Sequence, residues 1–370
     1  MMNEGMNSLD YKARVDRLRE KMEEEGIDLS ILYQRSNVRY FAGWRQNTTS
    51  FSILFITQDG LVHMVPKLDK KAVESECWID SSDIYEIPEN PMKKYKEISG
   101  EDFKKIDNIG IESETIFNSR LKNIKENIDC RFSDVQPLIN SLRIIKSPAE
   151  QELIKDGALA ISEVMTEIIE AAEEGMKEKD LTAKAKMLMD LKGGETYSFE
   201  PFAMSGKNSW LPHRTSTDKK FKKGELILVD MGLVWRGYCT DITRTFTVGG
   251  EPDQKKIDFF DAAYEAQKEA KKKVGPGVKA KEVHERAVEV FEEYVLSKYF
   301  PHLTGHGLGY DIHEAPILDK GQEIELKPGM VVTVEPGVYK EGIGGARVED
   351  MLVVTEKGHE ELTKSERKLI

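Results

Sequence analysis

At 370 residues the chain is long enough for two or three domains, and its 39% hydrophobic content supplies a sizeable core that excludes wholesale disorder. A formal net charge of -12 argues against nucleic acid as the main ligand, because duplex binding needs clustered Lys and Arg. The first 22 residues lack the apolar stretch of a signal peptide, and no later run nears the roughly 18 apolar residues of a membrane span. Cys77, Cys130 and Cys239 lie far apart without a CxxC pair, so a reduced, cytoplasmic protein without membrane contact is expected.

Tyr11, Val15, Leu18 and Met22 recur at helical spacing and predict a first helix ending at Gly26. FSILFIT and LVHMV flank Gln58, Asp59 and Gly60 as a hairpin, and DIYEI (83–87) and NIGIE (108–112) read as further strands. These alternating elements predict an α/β N-terminal domain over residues 1–146. It carries no cluster of His, Asp, Glu or Cys at ligand spacing, so it reads as scaffold, interface or substrate fence.

Ser147, Pro148 and Glu150 then combine an N-cap, a first-turn proline and a capping box, which places a second domain at 147–370. Ile154, Ala158, Ile161, Met165, Ile168 and Ala172 trace one face of a long helix that stops at Gly175. Further helices are predicted at about 178–192, 253–273 and 280–298, with apolar strands between and after them.

Two helices and a set of strands thus occur twice, and the residues repeat with them. GMKEKDL at Gly175 recurs as GVKAKEV at Gly277, and GELILVDMG from Gly224 aligns without gaps to GMVVTVEPG from Gly329. In that alignment Asp230 matches Glu335, 105 residues on, so equivalent strands each deliver a carboxylate just before a glycine turn. Asp241 and Glu349 supply a second carboxylate in each half. Alternation puts Asp241 on a face with Cys239, Thr243 and Thr245, and Glu349 with Arg347 and Met351. Four carboxylates crowded in an apolar sheet cannot all stay ionised without compensating positive charge, and metal ions are the economical source.

Of the histidines, His306 lies amid glycines in TGHGLG, where the backbone can bring an imidazole close to a ligand, and it is the best nitrogen ligand. His213 and His313 precede Asp230 and Glu335 by 17 and 22 residues, so the duplication makes them loosely equivalent, one from each half. His63, His284 and His359 read as ordinary surface or core residues.

The set VDMG, DITRT, GHGLGYDIHE, VEPGVY and GGARVED resembles the pita-bread metallopeptidases, which include methionine aminopeptidase, Xaa-Pro aminopeptidase and Xaa-Pro dipeptidase. The N-terminal part is similar to the creatinase-type domain of the proline-specific members. The resemblance implies an α/β N-terminal domain plus an α+β pita-bread catalytic domain with internal pseudo-two-fold duplication. It further implies that Asp230 chelates one metal, that His306 and Glu335 bind another, and that Asp241 and Glu349 bridge both. One imidazole and four carboxylates form a hard, oxygen-rich set, so two divalent ions are expected, Mn or Co favoured over Fe or Zn. In that setting Glu335 is the proton acceptor, His213 and His313 meet substrate and developing oxyanion, and Arg347 holds a carboxylate or substrate. His302 and Tyr339 match positions that line the substrate pocket in proline-specific relatives.

The reaction implied is hydrolysis of the bond between an N-terminal residue and proline, in a peptide with proline at the second position. A non-peptide amide hydrolase on the same scaffold is an alternative; a metal-free binding protein is another, disfavoured because all five ligand positions are filled. Dipeptidases of the archaeal type carry an arginine shortly after the HE pair for the substrate's free carboxylate, and here Ile317 takes that place. A homodimer is expected, in which the run YFAGWRQNTTS (40–50), with Trp44 and Arg45, borders the partner's active site.

Overall fold

The computed structural model describes residues 9–46, 51–367 and 369. Two compact units divide the chain, Met1–Arg143 and Ile144–Ile370.

In the first unit one mixed sheet contains β1 (Leu29–Leu32), β2 (Ile53–Thr57), β3 (Leu61–Val65), β4 (Ile84–Glu86), β5 (Asn108–Ile111) and β6 (Arg131–Asp134). Its order is β4-β3-β2-β1-β5-β6, with the β2–β3 hairpin turning at Gly60, whose N–H donates to Thr57 Oγ1 at 2.9 Å. Helices α1 (Tyr11–Glu24), α2 (Arg35–Ala42), α3 (Lys70–Glu76), α4 (Pro91–Ser99), α5 (Asn118–Asn127) and α6 (Gln136–Arg143) alternate with the strands. Leu29, Ile31, Phe55 and Ile109 from the sheet pack with Met92, Tyr95 and Ile124 from α4 and α5. Each such buried side chain contributes about 1.5–3 kcal/mol. At α2 the N-cap residue Gln34 makes no side-chain cap, and buried Glu112, just past β5, accepts the Tyr33 and Gln34 N–H groups at 2.6 and 2.8 Å. A carboxylate at that helix end satisfies free donors and complements the dipole.

Trp44 is only 5% exposed and its ring lies 6.1 Å from that of His63 within the same unit, so it is packed as core instead of reaching outward. Residues 47–50 of the same run lie outside the described residues.

His63, on β3, is fully buried, and neither ring nitrogen has a hydrogen-bond partner among the described residues. Burial pushes its pKa down from 6.5 to about 3. The unfolded chain therefore binds the extra proton between those values, and stability present above pH 6.5 is lost as pH falls toward 3. The loss is on the order of 5 kcal/mol. His63→Leu should remove this term, so its melting temperature should gain on the wild type progressively below pH 6.5. A gap between the two proteins that stays constant with pH would show that His63 is not the acid-sensitive group.

The second unit opens with α7 (Pro148–Ala171), where the Ser147 hydroxyl accepts from the Glu150 N–H and Glu150 Oε2 accepts from the Ser147 N–H, a complete capping box. Then follow α8 (Glu178–Leu191), β7 (Thr196–Tyr197), β8 (Phe202–Ser205), β9 (Ile227–Met231), β10 (Leu233–Trp235), β11 (Tyr238–Cys239) and β12 (Ile242–Phe246). The second half contributes α9 (Gln254–Lys273), α10 (Ala280–Glu293), β13 (Gly305–Gly307), β14 (Glu314–Leu318), β15 (Val331–Val334), β16 (Gly337–Lys340), β17 (Gly344–Arg347), β18 (Asp350–Thr355) and β19 (Gly358–Glu361).

The duplication is visible in the pairing. The order β8-β9-β12 in one sheet corresponds to β13-β15-β18 in the other, with antiparallel neighbours throughout. Chain entry into the second helix of each half also repeats: the Gly175 N–H donates to the Phe221 carbonyl, and the Gly277 N–H to that of Leu326. Helix α10 is shorter than predicted. It ends at Glu293 because Val295 takes a φ of 58° and the Leu296 N–H folds back onto the Phe291 carbonyl at 2.7 Å, a Schellman-type stop.

Alternation explains where the acids point. On β9, Ile227, Val229 and Met231 pack with Ile161, Met165 and Leu181 of α7 and α8, while Leu228 meets Met204 and Tyr339 on the opposite side. On β15, Val332 and Val334 pack with Val283 and Ala287 of α10. Asp230, and Glu335 just past β15, fall in the register positions opposite those core residues.

Candidate metal centre

Asp230 stands near the end of β9, and Glu335 directly follows β15. Asp241 and Glu349 each occupy the residue just before a strand pairs, ahead of β12 and β18. This corrects the single continuous faces expected from alternation. Cys239 pairs on β11 in another sheet from β12, and Arg347 closes β17 in a two-stranded sheet while Met351 belongs to the five-stranded one. The chain bends between sheets at both acids, so Cys239 sits apart, its Sγ 3.8 Å from the Tyr310 carbonyl. Thr243 and Thr245 do line the seam. Thr243 Oγ1 donates to Glu349 Oε2 at 2.8 Å and accepts from Arg347 Nε at 3.1 Å, and Thr245 Oγ1 donates to the Arg347 carbonyl at 2.9 Å.

His306, on β13, completes the group. Its Nε2 lies 3.6 Å from Asp241 Oδ2 and 3.4 Å from Glu335 Oε1, while Nδ1 meets the Gly307 carbonyl at 2.9 Å. That second contact fixes the ring and leaves Nε2 facing the acids. Glycine is required beside it: a Cβ at Gly305 would lie 2.0 Å from the Thr333 carbonyl oxygen, and one at Gly307 would lie 2.2 Å from that of Ala315. Thr333 Oγ1 accepts from the His306 N–H at 3.1 Å and reaches Glu335 Oε1 at 3.4 Å, tying imidazole to carboxylate.

Burial, and then the charges of Asp230 and Glu335, push the Asp241 carboxyl well above its usual range. Glu349 is raised by burial, then by Asp241 and Glu335. Burial also raises Asp230 and Glu335, against the pull of Arg347 on the first and of His306 and Arg347 on the second. Arg347 donates to Asp230 Oδ2 and, through Nη1, to the Tyr339 hydroxyl at 2.7 Å. One buried guanidinium among four carboxylates leaves the cluster short of positive charge. Asp230 Oδ1, Asp241 Oδ1 and Glu349 Oε1 are buried with no hydrogen-bond partner among the described residues. Unsatisfied carboxylate oxygens are costly unless something cationic takes them, so the donor set fits a divalent metal. Ligand atoms of Asp241, His306 and Glu349 already lie within 4.8 Å of one another.

Asp230, Asp241 and Glu335 line a cleft of about 640 Å³ together with His213, His302, His306, His313 and Arg347. His313 is exposed, with its ring centroid 4.4 Å from that of His306, and His213 is also exposed. His302 turns Nε2 to the Tyr339 hydroxyl at 3.0 Å and Nδ1 to the Leu303 carbonyl at 2.7 Å, and burial lowers its pKa to about 3. Tyr339 is not on the cleft wall. It is 6% exposed, held behind His302 and Arg347. Phe199, Phe202, Phe300 and Ile312 give the cleft an apolar side that no sequence motif marked. Lys320 also lines it, its ammonium unpaired among the described residues; it lies three positions beyond Ile317, outside the HE motif.

Residues 152–356 match the model of metallopeptidase family M24, and residues 14–145 match the creatinase/prolidase N-terminal domain. The chain belongs to metallopeptidase family M24. It is 35% identical to the Xaa-Pro dipeptidase of Pyrococcus furiosus over 97% of this chain and 100% of that one. Among solved structures it resembles the prolidase from Pyrococcus horikoshii, with a TM-score of 0.89 at 33% identity covering 97% of this chain and 100% of the other. The X-Pro aminopeptidase from Thermotoga maritima superposes with a TM-score of 0.87 at 30% identity, over 96% and 99% of the two chains. This M24 member has a creatinase-type N-terminal domain followed in the sequence by the pita-bread fold, and its family is one of divalent-metal hydrolases.

Proposed function

We propose that this M24 member is a metallo-exopeptidase that hydrolyses the bond between an N-terminal residue and proline. The observation that carries the reading is the buried set of Asp230, Asp241, His306, Glu335 and Glu349 with its unpartnered carboxylate oxygens at the foot of an apolar-sided cleft. Full-length relatives named for Xaa-Pro hydrolysis support the substrate class, and neither a non-peptide amide nor a metal-free binding role is favoured. Asp230 would hold one ion, His306 and Glu335 a second, and Asp241 and Glu349 both. The hard donor set favours Mn or Co and admits Fe or Zn. Bound divalent ions supply Lewis acidity and an acidified water.

The chain's own groups do the rest. Glu335 accepts a proton and returns it to the leaving nitrogen. His213 and His313 face the cleft mouth, where an imidazole N–H can donate to the scissile carbonyl as negative charge develops on it. Arg347, clamped by Asp230, Thr243 and Tyr339, keeps Asp230 in place. His302, neutral and braced by Tyr339, offers a flat apolar face beside Phe300, with ring centroids 5.1 Å apart, suited to a proline ring.

Substrate length turns on the unpaired Lys320 ammonium, the cation available on this wall for a dipeptide's free carboxylate now that Ile317 carries none. Turnover of an Xaa-Pro dipeptide should therefore exceed that of an Xaa-Pro-Yaa tripeptide; the reverse order would assign an aminopeptidase. The protein is further read as cytoplasmic, with neither nucleic acid nor membrane as partner. Among the described residues no helix is long and apolar enough to cross a membrane. A homodimer belongs to the same reading, with Arg45, which is half-buried, closer to the surface than the buried Trp44. Light scattering should give twice the chain mass, and a monomer of full activity at all concentrations would contradict it.

A further inference from the structure

Glu178, the first residue of α8, is completely buried, and no metal-site residue touches it. Its Oε1 accepts from the Ser205 N–H at 2.8 Å, the Ser205 hydroxyl at 3.0 Å and Asn208 Nδ2 at 3.1 Å. Its Oε2 accepts from Asn208 Nδ2 at 2.9 Å, the Thr217 N–H at 3.0 Å and the Thr217 hydroxyl at 2.7 Å. One carboxylate therefore joins the last residue of β8 to both ends of the segment that follows it. Between Asn208 and Thr217 the backbone runs through turns and irregular chain, and His213 lies near the middle.

His213 itself is exposed. Its place over the cleft depends on where the two ends of the segment are pinned. The internal duplication supplies a contrast. GMKEKDL and GVKAKEV align Glu178 with Ala280, so the other half starts its matching helix without a carboxylate. There the chain after β13 is organised by pairing with β14, and the anchor has no counterpart to hold.

We propose that Glu178 is a positioning residue for the proposed Xaa-Pro hydrolysis, acting through the 208–217 segment to set His213 over the cleft. The inference rests on the role assigned to His213 above. Negative charge is what the site needs: all six contacts come from donors, and a carboxylate can accept every one. Glu178→Gln keeps the shape but presents an amide N–H₂ to donors, which should loosen one end of the segment and shift it, while bonds such as those of Ser216 to Ala203 and of Ser209 to Gly345 keep it attached. A positional error of about 1 Å in a group that acts on the transition state costs on the order of 100-fold.

The test is a double-mutant cycle on the metal-loaded full chain with His213→Ala, Glu178→Gln and the double variant, reading kcat, KM, metal content and melting temperature. Glu178→Gln should lower kcat on the order of 10- to 100-fold with metal content unchanged, and should cost less than threefold more in the His213→Ala background. Equal losses in both backgrounds would overturn the inference and leave the role of His213 standing. Wild-type turnover in His213→Ala would sink that role and the inference together. Should Glu178→Gln fail to fold, Thr217→Val and Asn208→Ala loosen one end each and enter the same cycle with the same expectation.

Discussion

Asp241→Asn is expected to abolish Xaa-Pro hydrolysis and to deplete bound metal together, and Glu349→Gln should do the same. Both acids lie in the seam between the two halves, each with one buried oxygen that has no hydrogen-bond partner among the described residues. On the proposed assignment a shared carboxylate would contribute to both sites at once, so losing it should cost more than losing Asp230, which would serve a single ion. An amide in its place has lower charge and turns an N–H₂ into the cluster, which opposes cation binding. Elemental analysis supplies a readout independent of rate, and the stabilisation that added Mn(II) gives the wild type should shrink in parallel. Near-normal turnover with full metal content in either variant would remove the bridging assignment.

The second large effect separates three histidines. His306→Ala should empty or weaken a metal site, since its Nε2 lies within 3.6 Å of two of the acids. His213→Ala and His313→Ala should keep their metal and lose on the order of 100- to 1,000-fold in kcat, the usual effect of deleting a donor to a developing oxyanion. The two classes differ because His306 is 2% exposed among the acids, whereas the other two stand exposed at the cleft. Loss of metal from His313→Ala would show that the 4.4 Å contact between its ring and that of His306 reflects shared ligation.

Much of the second unit was legible because duplication constrains it twice. A match such as Asp230 with Glu335 needs only the linear repeat, and the period-two packing of Ile227, Val229 and Met231 on one strand and of Val332 and Val334 on the other turns both acids away from the helices. The bends at Asp241 and Glu349 were hidden, because alternation along a sequence cannot show where a chain leaves one sheet for another. Helix α10 was overrun for a similar reason: Tyr294, Val295 and Leu296 continue an apolar pattern, and only the left-handed turn at Val295 ends it. The resemblance put Tyr339 in the substrate pocket, yet its hydroxyl is spent on Arg347 and His302, which only three-dimensional packing decides. Lys320 and the phenylalanines of the cleft wall carry no spacing signal at all, since substrate-facing residues are gathered from separate loops.

The most direct measurement is to strip the purified protein with a chelator, reload it with Mn(II) or Co(II), and follow bound metal and turnover of matched Xaa-Pro and Xaa-Ala dipeptides together. Activity should be absent without metal, should return as the ion pair fills, and should appear on the proline substrate alone. Undiminished activity in the stripped protein, or equal turnover of the two dipeptides, would contradict a metal-dependent, proline-directed exopeptidase.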